Sequence, residues 1–314
     1  MPSSPPADSA RPWVLDCRGR PLDCRPGRVH VMGILNVTPD SFSDGGRYTS
    51  VQAALDRAGA MAEEGATIID VGGESTRPKG TTYGEGAEAV GLDDELARVV
   101  PVLEVLAREL PRVLLSIDTY KGAVAREALR AGAHLVNDVT GLRYGVGTAT
   151  AAADYSAPLI VMHGRGRPGE MVHVEASDDI VGEVAVALAE SVKRATAAGV
   201  RDVIVDAGFG FGKTREENLR LVAETDAFRD RLQRPVLVGA SRKSTIGQVL
   251  GTPEAPVPVS ARVHGSVGLA ALAAARGASL VRVHDVRETA EALALIAAAE
   301  SARLGAEAES VENR

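Results

Sequence analysis

Residues 112–139 read RVLLSIDTYKGAVAREALRAGAHLVNDV, and their pattern decides the fold. A short apolar run, RVLLSIDT (112–119), leads into an Ala-rich stretch with helical spacing over 121–132. A second apolar run, HLVNDV (134–139), follows Gly132. Nearly continuous apolar runs are what parallel strands covered on both faces require, and a glycine just past the last turn is a common helix stop. The same unit recurs in both directions. The other short runs are HVMGILNV (30–37), TIIDVGG (67–73), PLIVMHG (158–164), DVIVDAG (202–208), PVLVGAS (235–241) and LVRVHDV (280–286), which makes eight. Helical spacing predicts helices over 49–65, 93–110, 147–155, 178–199, 215–232, 260–277 and 286–304.

Eight such units predict a closed (β/α)8 TIM barrel, an architecture of about 250 residues. An open doubly wound sheet would normally place a G-x-G-x-x-G phosphate loop after its first strand, and no such motif follows residues 30–37. Although 314 residues would allow two domains, a single barrel over 13–304 is expected. WVLDCRGRPLDC (13–24) predicts an N-terminal β-hairpin turning at Gly19 and plugging the N-terminal end of the barrel, with Cys17 and Cys24 in it. Residues 1–12 are expected to form a disordered tail and 305–314 a C-terminal tail.

Composition narrows the function. The 35 basic and 42 acidic residues give a net charge of −7, which argues against non-specific nucleic-acid binding. Aromatic residues make up only 3%, too few for single-strand stacking platforms. No apolar run approaches the roughly 18 residues that suggest a membrane span, and a cytoplasmic location is expected. Two cysteines provide neither a disulfide framework nor a four-thiolate zinc site.

In a barrel of this kind, chemistry sits where the strands end. Every run here ends on polar residues: Asn36; Asp70 and Glu74; Asp118; Asn137 and Asp138; His163; Asp206; Ser241, Arg242 and Lys243; Arg282 and His284. A single polar strand end means little, because loops begin there. Asp118, Asn137, Asp206 and Arg282, however, interrupt otherwise apolar runs, and buried polar groups are costly without partners. Their convergence on one mouth points to a polar ligand. Carboxylates, an amide and an ammonium suit a flat heterocycle with adjacent N–H donors and a carbonyl; Asn36, Arg282, His284 and the Ser75–Arg77 turn offer donors for an anion. NVTPDSFSDGG (36–46) carries Pro39 and a glycine pair, GGESTRPKGTTYGEG (72–86) is long for a βα loop, and these loops, with Phe42 and Arg77 in them, are expected to act as lids.

Eight segments taken together resemble the dihydropteroate synthase family of pterin-binding enzymes: VMGILNVTPDSFSDGG, GATIIDVGGESTRP, SIDT, GAHLVNDV, LIVMHGRG, DAGFGFGK, LVGASRKSTIG and VRVHDVRET. They run in family order from residue 31 to 289. The resemblance implies a (β/α)8 barrel, commonly a homodimer through its later helices. It implies a dihydropterin pyrophosphate and p-aminobenzoate as substrates, dihydropteroate and pyrophosphate as products, magnesium with the pyrophosphate, and sulfonamides as competitors of p-aminobenzoate. Asp118, Asn137, Asp206 and Lys243 would hold the pterin. Asn36, Arg77, Arg282 and His284 would hold pyrophosphate, with Asn36 also a magnesium ligand. Phe42, Thr76, Pro78, Phe211 and Ser244 would line the p-aminobenzoate pocket, and Asp118, Lys243 and Arg282 would carry the catalytic electrostatics.

The chain departs from the family pattern at Ala207, where proline is common, and at Gly164, where methionine is common. It departs also in the longer KGTTYGEGAEAVG loop and in RYGVGTAT after the fourth run. A pterin-dependent methyltransferase on the same barrel would lack the SRK motif and the pyrophosphate set. A non-catalytic or specialised pterin-binding paralogue is the alternative; it would have lost ligands, and none of those named is missing. His30, His134, His163, His173 and His264, and the basic run RGRPG (165–169), are expected to be structural or solvated.

Overall fold

A computed structural model of the chain describes residues 13–37, 47–74, 90–167, 170–171 and 176–312. Eight parallel strands close into a barrel. In chain order they are β3 (His30–Asn36), β4 (Ile68–Gly72), β5 (Leu114–Asp118), β6 (Leu135–Asp138), β7 (Leu159–Met162), β10 (Val203–Asp206), β11 (Val236–Val238) and β12 (Leu280–Val283). β12 pairs with β3 to close the cylinder, with Arg282 beside Met32. Parallel neighbours need a crossover, and helices α1 (Arg47–Glu63), α2 (Leu92–Glu109), α3 (Gly122–Arg130), α4 (Gly147–Asp154) and α5 (Ile180–Ala197) supply the first five. A short antiparallel pair, β8 (Gly166–Arg167) and β9 (Glu170–Met171), lies after β7.

The later helices differ from the spacing-based expectation. The stretch 215–232 is two helices, α6 (Arg215–Ala223) and α7 (Thr225–Leu232), separated at Glu224. The seventh unit also has two helices, α8 (Ser244–Leu250) and α9 (Val263–Ala275), with a 3-10 turn at Val259–Ala261. The last helix, α10, runs from Val286 to Glu312, past residue 304 where a tail was expected. The expected tail over 1–12 lies outside the described residues.

Strand alternation sorts the side chains into two sets, because residues two apart share a face. One apolar cluster takes one side chain from each barrel strand: Met32, Ile68, Leu114, Leu135, Ile160, Ile204, Leu237 and Leu280. Leu15, Cys17, Leu22 and Cys24 complete it. They come from the hairpin β1 (Val14–Asp16) and β2 (Pro21–Asp23), so the hairpin does plug the barrel's N-terminal end. Arg18 (φ 58°) and Gly19 (φ 85°) make its two-residue turn, the left-handed pair that a tight hairpin needs. Arg20 Nη1 ties the turn to the Val113 carbonyl at 2.9 Å. Burial lifts both thiols above the ordinary range, Cys24 to about 12, so they pack as small protonated groups.

Candidate active site

Two residues further along the same inward-facing rows, the apolar layer gives way to Asp70, Ser116, Asn137, Asp206 and Arg282; one step beyond lie Asn36, Gly72 and Asp118. Gly239 follows Leu237 on this face. A Cβ on Gly72 would meet Asn36 Oδ1 and Asp118 Cβ at 3.6 Å, and one on Gly239 would meet Arg282 Cβ at 3.7 Å. Two inward positions thus carry no side chain, one beside Asp118 and one beside Asp206. The interior above the apolar layer is left open between charged walls.

Arg282 organises one wall. Its Nε donates to Asp70 Oδ2 at 2.6 Å and its Nη2 to Asp118 Oδ2 at 2.8 Å. Asn137 Nδ2 donates to the same Asp70 oxygen at 3.0 Å. Burial pushes the Asp118 carboxyl above the usual carboxylate range, with Asp70 adding to the push, while Arg282 pulls it back towards ionisation. Arg282 has five N–H donors, and these two bonds use two of them.

The opposite wall belongs to β10, β11 and the turns after them. Asp206 Oδ1 accepts from the Gly208 amide at 2.7 Å. Burial raises the Asp206 pKa against that hydrogen bond and the nearby charges of Lys243, Lys213 and Arg282. Lys243 Nζ donates to the Phe209 carbonyl and lies 4.2 Å from the centre of the Phe211 ring. Burial brings its pKa down to about 7, although Asp206 and Asp118 favour the charged form.

The turn that aims Lys243 is held from below. Arg242 takes a left-handed φ of 57°. Its N–H donates to Ser266 Oγ at 2.8 Å, its guanidinium pairs with Asp285, and its carbonyl accepts from buried Arg262 at 3.0 Å. His284 Nδ1 and Ser241 Oγ lie 3.0 Å apart at the mouth. Ser244 opens α8 directly after Lys243.

The structure therefore brings Asp118, Asn137, Asp206, Lys243 and Arg282 together, with Asn36, Phe211, Ser244 and His284 at the surrounding strand ends and turns. Phe42, Thr76, Arg77 and Pro78 lie outside the described residues. Asp70 was legible as a polar strand end, but its two bonds with the site residues were not. Lys213, Ser266, Arg262 and Asp285 were missed as supports, and their polar spacing gave no signal of it.

Several other polar groups have partners or surroundings within the fold. His134 Nδ1 accepts from the Leu115 amide at 3.1 Å. His163 is brought down to about 3 by burial and by Lys213, Arg143 and Arg165, so its ring is neutral at pH 7. Arg165 is bound to Glu183 and Glu217. Gly164 faces Arg143 and Phe211: a Cβ there would lie 3.3 Å from Arg143 Nη2 and 3.5 Å from Phe211 Cβ.

Comparison with known proteins agrees with this geometry. A family described as "Pterin binding enzyme" matches residues 32–284. The chain belongs to the pterin-binding enzyme family. It is 45% identical over 291 residues to dihydropteroate synthase of Escherichia coli K12, covering 92% of this chain and 97% of that protein. A Yersinia pestis dihydropteroate synthase solved with a sulfonamide drug complex superposes with a TM-score of 0.81 at 44% identity, covering 92% of this chain and 99% of that one. A Xanthomonas albilineans dihydropteroate synthase solved with 4-aminobenzoic acid gives a TM-score of 0.79 at 44% identity, covering 92% and 98%. The resemblance in the sequence motifs thus extends to the whole barrel. Among the described residues no helix is long and apolar enough to cross a membrane.

Proposed function

We propose that this barrel condenses 6-hydroxymethyl-7,8-dihydropterin pyrophosphate with p-aminobenzoate to give 7,8-dihydropteroate and pyrophosphate. The enzyme is a dihydropteroate synthase, a transferase. The observation that carries the residue roles is the open, charged space above the apolar layer, walled by Asp118, Asn137 and Arg282 on one side and Asp206 and Lys243 on the other.

Asp206 accepts from the adjacent 2-amino and N3–H groups of the pterin, and Lys243 donates towards the ring carbonyl. Asn137 adds an amide to this face. Arg282, through N–H groups not used by Asp70 and Asp118, binds the diphosphate with His284, Asn36 and Arg77. The C–O bond between methylene and diphosphate breaks with its electron pair leaving on oxygen. The positive charge left on the methylene spreads into the pterin ring. Asp118, whose anionic form Arg282 favours against the effect of burial, stabilises that charge when ionised, from a position already fixed by its bond to Arg282. The arylamine nitrogen then forms the new C–N bond and loses its proton. Phe211 and Ser244, with Phe42, Thr76 and Pro78, hold the aminobenzoate for that attack.

Magnesium fits this donor set as a companion of the diphosphate. No group of three or more His, Cys, Asp or Glu that could hold a metal occurs among the described residues. Asn36 offers one carboxamide oxygen at the mouth, and magnesium readily takes one or two protein ligands with substrate phosphates and water. When bound it would neutralise charge on the leaving group. Two copies of the chain pair through the later helices, where Leu272 on α9 and Leu295 on α10 are exposed. A cytoplasmic location completes the proposal.

The test is product formation from the two substrates with magnesium, followed by chromatography, and complementation of a strain lacking this folate step with and without a sulfonamide. Dihydropteroate and pyrophosphate should appear in equal amounts. Failure of both assays with soluble, folded protein would favour a non-catalytic paralogue.

A further inference from the structure

The turn between β10 and α6 carries Phe211 and is built around a buried ammonium. Lys213 is 6% exposed. Its Nζ donates to three backbone carbonyls: Gly208 at 2.8 Å, Phe211 at 3.3 Å and His163 at 3.4 Å. The first two bracket the turn, which is closed by the Phe211 amide donating to the Gly208 carbonyl at 3.2 Å. The third ties the turn to the end of β7. Gly208, Gly210 and Gly212 all take left-handed φ, between 69° and 82°. That backbone is free to rearrange unless something fixes it.

A buried ammonium is costly, and three carbonyls with Asp206 nearby offset only part of that cost. Burial accordingly lowers the Lys213 pKa to about 7. An apolar side chain would fill the space at less cost. What the ammonium adds is three directed bonds that fix where Phe211 stands: over Lys243, with its Cβ beside Gly164. The turn has a separate hold. Asn218 Oδ1 accepts from the Gly210 amide at 2.7 Å, and Asn218 Nδ2 donates to Thr245 Oγ1 at 3.1 Å. Loss of Lys213 therefore leaves the turn attached to α6, with the Phe211 amide still on the Gly208 carbonyl and the Arg165 amide on the Phe211 carbonyl, but removes the one group that joins both carbonyls to the end of β7.

We infer that Lys213 is a positioning residue for the aminobenzoate half of the reaction, acting through the backbone of the 208–211 turn to set the Phe211 ring. The inference rests on the proposed place of Phe211 in that pocket.

A double-mutant cycle tests it. Phe211→Ala alone should raise KM for p-aminobenzoate about 10-fold. Lys213→Met should raise it about 10-fold in the wild-type background and less than about 2-fold in Phe211→Ala, because the ring it positions is gone. Equal factors in both backgrounds, or no change in either, would overturn the inference and leave the pocket assignment standing. No effect of Phe211→Ala itself would overturn both. If Lys213→Met does not fold by circular dichroism, Lys213→Gln takes its place in the cycle. Failure of both variants to fold would also overturn the inference, since Lys213 would then serve folding and not the site.

Discussion

The two ends of one barrel interior are built from opposite chemistry. At the N-terminal end, eight strands contribute eight apolar side chains, and a hairpin with two protonated thiols seals them. Two residues further along the same rows, the interior carries Asp70, Asn137, Asp206 and Arg282, with no side chain at Gly239, and Gly72 leaves a second gap one step beyond. The strands themselves do not change. The difference teaches that the lower layer supplies the burial that keeps the barrel closed, and so the upper layers can hold charges that would be poor choices for stability alone.

The strongest way to break this contrast is at the upper end. Asp206→Ala and Lys243→Ala should each lower kcat/KM by about 10^3-fold, because a site built to hydrogen-bond a ligand loses both the bond and the balance of its buried partner. Neither change should lower the melting temperature below that of the parent chain. Next comes the lower end. Leu114→Ala opens a cavity in the eight-residue layer and should cost about 2–5 kcal/mol in denaturant unfolding. Turnover per folded molecule should be unchanged. Activity lost in step with stability would erase the distinction between the ends.

A smaller effect is expected for Asp70→Asn. Asparagine can still accept from Arg282 Nε, but the charge opposite the guanidinium is gone, and kcat/KM should fall about 10-fold. A loss as large as that of Asp206→Ala would make Asp70 a direct ligand.

The pH response is smaller again. Lys243 has a folded pKa of about 7, below its ordinary 10.5. Between those values the unfolded chain holds a proton that the folded chain has released, so this group's contribution makes stability rise with pH across that window. The penalty is full below about pH 7. Lys243→Met should flatten that part of the stability profile. Pterin affinity should move the opposite way in the parent chain, weakening as pH rises through about 7 and the ammonium is lost. An affinity that strengthens over the same range would show that Lys243 does not act as a charged donor.

Much of this contrast was legible in the sequence. Buried parallel strands leave continuous apolar runs, so all eight strands and the hairpin could be placed. Asp118, Asn137, Asp206 and Arg282 stood out because they interrupt such runs. Helix breaks were less visible: nothing in the spacing of 215–232 marks the separation at Glu224, where the backbone leaves helical values. The pairing of Arg282 with both Asp70 and Asp118 was hidden because it depends on how β12, β3, β4 and β5 stagger around the cylinder. Lys213 and Arg262 were hidden for another reason. Their partners are backbone carbonyls, which every residue has and no sequence displays.

Calorimetric binding of the dihydropterin pyrophosphate to Asp206→Asn and to Leu237→Ala, beside the parent chain, tests the central claim most directly. Asp206 and Leu237 are register partners on adjacent strands, one in the charged layer and one in the apolar layer. The account predicts that Asp206→Asn abolishes measurable binding without lowering the melting temperature, and that Leu237→Ala lowers the melting temperature while the folded protein binds as before. Unimpaired binding by Asp206→Asn would contradict it.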